Sequence, residues 1–396
     1  MFIPKRGSLV PLFCALLLLT GCWDSVEVEE RAFIYGATVD LSDQQTEQNQ
    51  QLILTDQVVV PSGIGTSTTE GGQEQAYRNI SITGENINHM NTQLSKKANR
   101  TLFAQHLEVL IFSEEVTKQP EVFENSLDVF TRGQEMRRGM KVAVANGKAS
   151  ALLDIKPEHI KLPSQYIETL LENQRSSEVA KPLRLDDLHK YLFLDFSFVI
   201  PYLSISDDKN IEHNGVAVFN GNERVVVGRL DGELTKGRNF LTGEAEFGTM
   251  MIPVDDSKSD SKSVVQFTEV NSDLQLVNND KNNLQFEIKM DVAGNITETS
   301  SKTNPFENLD TYSKALEKSI KQLTERTIEQ AQNELQTDIF KLNVYLRGNH
   351  YKLWQSIKDD WDTGENYFSK SDIDVKVNGT VEHSGNTIYS TDKEQN

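Results

Sequence analysis

Apolar and polar positions follow two different periods along this chain, and the period changes several times. Arg31 to Leu41 and Gln51 to Pro61 are rich in β-branched and aromatic residues and read as strands, with Val58-Val59-Val60 marking a buried one. Ser62 to Gly72 is Gly/Ser/Thr-rich and reads as a flexible loop. Ile87, Met90, Leu94 and Ala98 then recur at helical spacing, which predicts an amphipathic helix over Glu85 to Asn99 behind Gly84. His106 to Phe112 reads as a strand, Phe123, Leu127 and Phe130 mark one face of a second helix, and Met140 to Ala145 alternates as another strand. Pro163 suits the first turn of a helix that carries Ile167, Leu170 and Leu171 inward.

The second half begins near Asn210. Gly215 to Asn220 and Glu223 to Leu230 are strand-like runs joined across Asn220-Gly221-Asn222, a hairpin signal because Asn and Gly tolerate positive φ. Asp255 to Lys262 is a polar surface loop with a sheet around it. Leu284, Phe286, Ile288, Met290 and Val292 alternate with polar residues, so one face of that strand is buried. Leu316, Ile320, Leu323, Thr327, Ala331 and Leu335 line one side of a long helix over Asp310 to about Thr337. Thr327 and Ala331 weaken a coiled-coil seam, and the helix reads instead as lying across its own sheet. Ile339 to Trp354 reads as helical with Gly348 as a break, Ile373, Val375 and Val377 as a last strand, and the chain beyond Thr380 as a frayed polar tail.

Alternation of this kind predicts an α+β or mixed α/β fold, with several domains each holding a mixed sheet packed by helices. The expected divisions are a signal segment over 1–21, an N-terminal region over 22–206, a C-terminal region over 207–380 and a tail over 381–396.

The first residues change the picture. Lys5 and Arg6 precede an 11-residue apolar run from Leu9 to Leu19, the layout of an export signal and well short of the ~20 residues that span a bilayer as helix. Leu19-Thr20-Gly21-Cys22 follows. A bulky aliphatic residue, two small ones and a cysteine make a lipoprotein-processing site, with the Cys22 thiol carrying a diacylglyceryl group and the chain cut just before it. Two acyl chains give a stable anchor at ~0.8 kcal/mol per buried methylene. An ordinary secretory signal would show an A-x-A-like site instead.

Removing residues 1–21 leaves 375 of the 396 residues and moves the formal charge from −19 to −21. So acidic a surface argues against nucleic acid and against electrostatic adsorption to anionic lipid. Cys14 lies in the signal and Cys22 is consumed by lipid, so the body offers no disulfide, zinc-thiolate site or cysteine nucleophile.

Candidate chemistry is sparse. No G-x-S-x-G, H-E-x-x-H, Walker A or complete G-x-G-x-x-G occurs; Gly63-Ile64-Gly65 and Gly147-Lys148 read as loops. The seven histidines are scattered, and pairs such as Glu244/Glu246 and Asp186/Asp187 read as surface charge among 59 acidic residues. Trp354 and Trp361 form either a ligand shelf or a core edge. The Arg132 to Arg138 run, with Arg132 and Arg137, is either the basic end of a helix, favourable with its dipole, or a partner-docking patch. Asp231-Gly232-Glu233 is either a turn with Glu233 helping to start a helix, or a contact with membrane partners.

Gly21-Cys22-Trp23-Asp24 and the Arg31 to Leu41 strand resemble the start of the Ger(x)C family of spore germination lipoproteins. The resemblance continues through Gln105-His106-Leu107-Glu108-Val109-Leu110-Ile111-Phe112, the Arg132 to Arg137 cluster and Val142 to Ala145. It is densest in Asn214-Gly215-Val216-Ala217-Val218-Phe219, Gly228-Arg229-Leu230-Asp231-Gly232-Glu233 and Phe240-Leu241-Thr242-Gly243. It implies mixed α/β domains and a non-enzymatic subunit without cofactors. That subunit would be held by lipid on the outer face of the spore inner membrane, working with an integral-membrane A subunit and a transporter-like B subunit in a nutrient receptor. Cys22 carries over as the lipid-modified residue. The competing class is a solute-binding lipoprotein of an ABC transporter, which calls for two similar lobes; no two-lobe repeat is visible.

Overall fold

A computed structural model of the chain describes residues 31–43, 50–60, 63, 75–98, 100–133, 136–254, 261–300 and 307–383. Residues 1–30, which hold the processing motif, most of Ser62–Gly72, 255–260 of the polar loop and the tail from 384 lie outside them.

The first sheet is built on β1 (Arg31–Leu41), β2 (Leu52–Val59), β3 (Tyr77–Gly84), β5 (Val109–Ser113), β6 (Lys141–Ala145), β8 (Phe198–Ile205), β9 (Ile211–Asn220) and β10 (Val225–Leu230). Its order is β10-β9-β8-β6-β5-β1-β2-β3, with the short β4 (Thr101–Phe103) on β1 and β7 (Leu183–Arg184) on β6. β1, β5, β6 and β8 run parallel, while the outer pairs are antiparallel. β5 and β6 are buried along their whole length, as expected of central parallel strands covered on both faces.

Leu110, Phe112, Val142 and Val144 turn to one face, under helices α1 (Ile87–Lys97), α2 (Pro120–Arg132) and α4 (Leu185–Phe193). Val109, Ile111, Ala143 and Ala145 turn to the other, under Ala149–Leu153 and α3 (Pro163–Glu172). Phe123, Leu127 and Phe130 are buried on α2 as their spacing predicts, and Pro163 stands in the first turn of α3, with Ile167 and Leu171 buried and Leu170 half-buried.

The second sheet has the order β11 (Thr249–Pro253), β12 (Lys262–Asn278), β13 (Gln285–Thr299), β14 (Asp372–His383). Helix α5 (Gly232–Leu241), the long α6 (Leu309–Glu329), and the pair α7 (Leu342–Asn349) and α8 (Tyr351–Ile357) cover it. α6 packs on β14 and α5, so the long amphipathic helix does lie across its own sheet. Thr327, an odd residue on the predicted seam, is fully buried: its hydroxyl donates to the Leu323 carbonyl, and it rests against Gly237 of α5.

Four expectations shift. The strand starts at Val109, because Ala104–His106 closes a 3₁₀ turn that stacks His106 on Tyr35 and sets it edge-on to Phe33. The break after α7 falls at His350, not Gly348, and β14 runs on to His383. The predicted hairpin forms, but the left-handed residue is Arg224 (φ 57), and Gly221 serves close approach instead: a Cβ there would sit 2.4 Å from the Phe196 carbonyl carbon. That hairpin, β9–β10, completes the first sheet. β9 is shared: Ala217 and Phe219 face the first core, Val216 and Val218 the second.

Candidate functional site

Cys22 and the Leu19-Thr20-Gly21 motif lie in the first 30 residues, outside the described ones. The Arg132–Arg138 run begins where α2 ends. Arg132 donates from Nε to Asp128 Oδ1 at 2.6 Å, with its side chain 80% exposed. Arg137 reaches Glu108 at 3.4 Å. Each guanidinium thus has a carboxylate partner.

Asp231-Gly232-Glu233 begins α5. Asp231 is the N-cap, its Oδ1 accepting from the Leu234 amide at 2.8 Å. Glu233 sits in the first turn and pairs with Arg326 of α6 at 2.6 Å; both are exposed, and such a pair contributes ~0–1 kcal/mol. Gly215 (φ 85) makes this corner possible, since a Cβ on it would meet the Leu230 carbonyl oxygen at 1.9 Å.

The polar groups that tie the two sheets together were not visible as motifs. Asp338 is fully buried in the link between α6 and α7. Its Oδ1 accepts from the amides of Phe340 (2.9 Å) and Leu342 (3.3 Å), and its Oδ2 from the Asn343 amide (2.8 Å) and Trp361 Nε1 (3.0 Å). Burial still raises its pKa, although these four donors oppose the rise. Asp362 receives Ser197 Oγ and, at 2.9 Å, Asn222 Nδ2; burial pushes its carboxyl up to about 6. Asn220 donates to Thr337 Oγ1 (3.0 Å) and to the Asp362 carbonyl (2.9 Å). Asn220-Gly221-Asn222 is therefore both a hairpin turn and the clasp on the second sheet.

Beside the clasp, Glu244 takes ion pairs from Arg238 and Lys341. Arg238, almost wholly buried, also donates to the Ile339 carbonyl at 3.1 Å. Burial would raise the Glu244 pKa, but the two cations outweigh it and hold it near about 2. These three residues line a cleft of about 600 Å³ that Arg184 of β7, Tyr191 of α4 and Ser197, just before β8, complete. Trp354 and Trp361 are core residues, in edge-to-face contact with each other. Among the described residues no group of three or more His, Cys, Asp or Glu side chains is placed to hold a metal ion.

Two mixed sheets in series, whose cores meet on the two faces of β9 and which are locked by a buried polar clasp, define a two-part α/β protein. Known proteins share this order of parts. The "Spore germination protein N-terminal domain" family matches residues 24–205, and the "Spore germination B3/ GerAC like, C-terminal" family matches residues 214–385. Spore germination protein YndF of Bacillus subtilis (strain 168) is 25% identical over 395 residues, covering 94% of this chain and 96% of that protein. Spore germination protein A3 of the same organism is 26% identical over 389 residues, covering 94% and 96%. The crystal structure of the GerBC protein has the same fold, with a TM-score of 0.58 at 18% identity over 87% of this chain and 97% of that one. The chain belongs to the Ger(x)C family of spore germination proteins, the C subunits of germinant receptors. The matches lend no support to the ABC-transporter alternative.

Proposed function

We propose that this protein is the lipid-anchored C subunit of a nutrient germinant receptor, held through diacylglyceryl-Cys22 on the outer face of the spore inner membrane. It acts without covalent chemistry, by assembling with an integral-membrane A subunit and a transporter-like B subunit. The observation that carries this reading is the succession of two germination families over residues 24–205 and 214–385. The Leu19-Thr20-Gly21-Cys22 motif supports the anchor, and among the described residues no helix is long and apolar enough to cross a membrane. The clasp between the sheets supports a mechanism of coupled surfaces, because a displacement at one sheet must move Asn220, Ser197 and Asp362 together. Arg132, Arg137 and the Asp231-Gly232-Glu233 corner are candidate contact points.

The anchor is tested by fractionating cells that express the chain or its Cys22→Ala variant, with metabolic palmitate labelling. The label and the membrane fraction should hold the parent and lose the variant. A variant that stays labelled on membranes refutes Cys22 as the anchor.

A further inference from the structure

Strand β2 lies between β1 and β3, and Leu52, Leu54 and Val58 turn one face into the core beneath α1, with Ile87, Met90 and Leu94. Period two places Asp56 in that same row. Asp56 is 3% exposed, and its Oδ2 has no hydrogen-bond partner. Burial alone pushes its carboxyl up to about 7. A charged group among aliphatic side chains is costly unless something pairs with it.

The carboxyl borders a cavity of about 310 Å³ between the sheet and α1. Ala37 stands directly across from Asp56 on β1, and its short side chain lines the same space. Ile34, Leu54, Leu107 and Phe130 supply apolar wall. The mouth lies at Thr92 and Ser95 on the exposed side of α1. Both hydroxyls spend their protons on backbone carbonyls, of Asn88 (3.1 Å) and Asn91 (3.1 Å), and so present lone pairs to whatever enters. Among the described residues, no lysine or arginine lines the cavity. The nearby Arg132 and Arg137 have carboxylate partners of their own.

A lone buried carboxylate, acceptor oxygens at the mouth and apolar walls together describe a site for a cation with a hydrocarbon body. We propose that this cavity binds a small primary amine, its ammonium on Asp56 and its alkyl or aryl part against Leu54, Leu107 and Phe130. The volume is at the small end of ligand pockets and holds roughly ten non-hydrogen atoms, taking ~30 Å³ for each water-sized unit. The described lining sets the class: an α-amino acid would bring a carboxylate that none of the described lining residues neutralises. The site is independent of the receptor reading.

The test is ligand-observed NMR on the full chain in detergent micelles at pH 8, with isoamylamine, isoamyl alcohol and leucine as probes. Isoamylamine should bind at least tenfold more tightly than the neutral alcohol or the zwitterion. The isosteric Asp56→Asn variant, in the same micelles, should lose at least tenfold for the amine alone. The comparison of probes on the parent protein needs no variant and stands if Asp56→Asn fails to fold. No amine binding beyond that to empty micelles, equal binding of amine and alcohol, or unchanged binding to a folded Asp56→Asn overturns the site. Leucine binding as tightly as the amine overturns the assignment of class.

Discussion

Glu244→Gln removes the charge at the centre of the Arg238–Glu244–Lys341 network and keeps the side-chain shape. The Glu244 pKa falls from 4.5 to about 2 on folding. At ~1.36 kcal/mol per unit, that difference stabilises the fold by about 3 kcal/mol. Because the folded value lies below the unfolded one, the contribution is complete above pH 4.5 and fades as the pH falls toward 2. The variant also leaves Arg238 buried with only the Ile339 carbonyl and Asn239 Oδ1, and breaking a buried pair costs ~3–5 kcal/mol. Urea unfolding of both proteins at pH 7, 5, 4 and 3 measures the gap. It should be about 3–5 kcal/mol at pH 7 and shrink steadily below pH 5. A gap under ~1 kcal/mol at pH 7, or one as large at pH 3 as at pH 7, refutes the reasoning.

Three further outcomes follow from the packing and the titration. Gly237→Ala would put a Cβ 2.1 Å from Thr327 Oγ1, and should lower stability by ~1–3 kcal/mol, with Thr327→Ala recovering part of it; a neutral Gly237→Ala in thermal unfolding contradicts the close α5–α6 approach. The Asp56 pKa rises on folding, from 3.8 to about 7, so its contribution is favourable at low pH and lost as the pH climbs through 7; Asp56→Asn should raise stability by up to about 4 kcal/mol at pH 8 and by far less at pH 4, and a pH-independent effect refutes the burial argument. Asp231→Ala should cost ~1 kcal/mol through the lost N-cap, whereas Glu233→Ala should cost under ~1 kcal/mol; loss of receptor assembly by Glu233→Ala at unchanged melting temperature would mark it as a contact residue.

What could be read from the sequence was whatever one periodicity reports by itself. Phe286, Ile288, Met290 and Val292 show the buried face of β13, and Leu316, Ile320 and Leu323 that of α6, because each face is continuous. Pairing between distant segments left no such trace. The sharing of β9 by two cores depends on Val216 and Val218 joining a cluster that includes residues as distant in sequence as Leu323, Phe340 and Val381. Asp338 looks like any other acidic residue until the α6–α7 link folds three amides and Trp361 around it. Glu244, read as surface charge, is buried because Arg238 and Lys341 converge on it. Asp56 did leave a signal: it interrupts the Leu52, Leu54, Val58 row where an aliphatic residue belongs. The Asn-Gly turn was located correctly for the wrong reason, since the demand on Gly221 comes from the backbone of Asp195 and Phe196 and not from its own φ.

The central claim is assembly into a membrane receptor, and affinity purification of the tagged protein from detergent-solubilised spore membranes tests it most directly. The account predicts that two polytopic membrane proteins co-purify with the parent chain and are lost with Cys22→Ala. Recovery of the parent chain alone, or with an ABC permease and its ATPase, would contradict it.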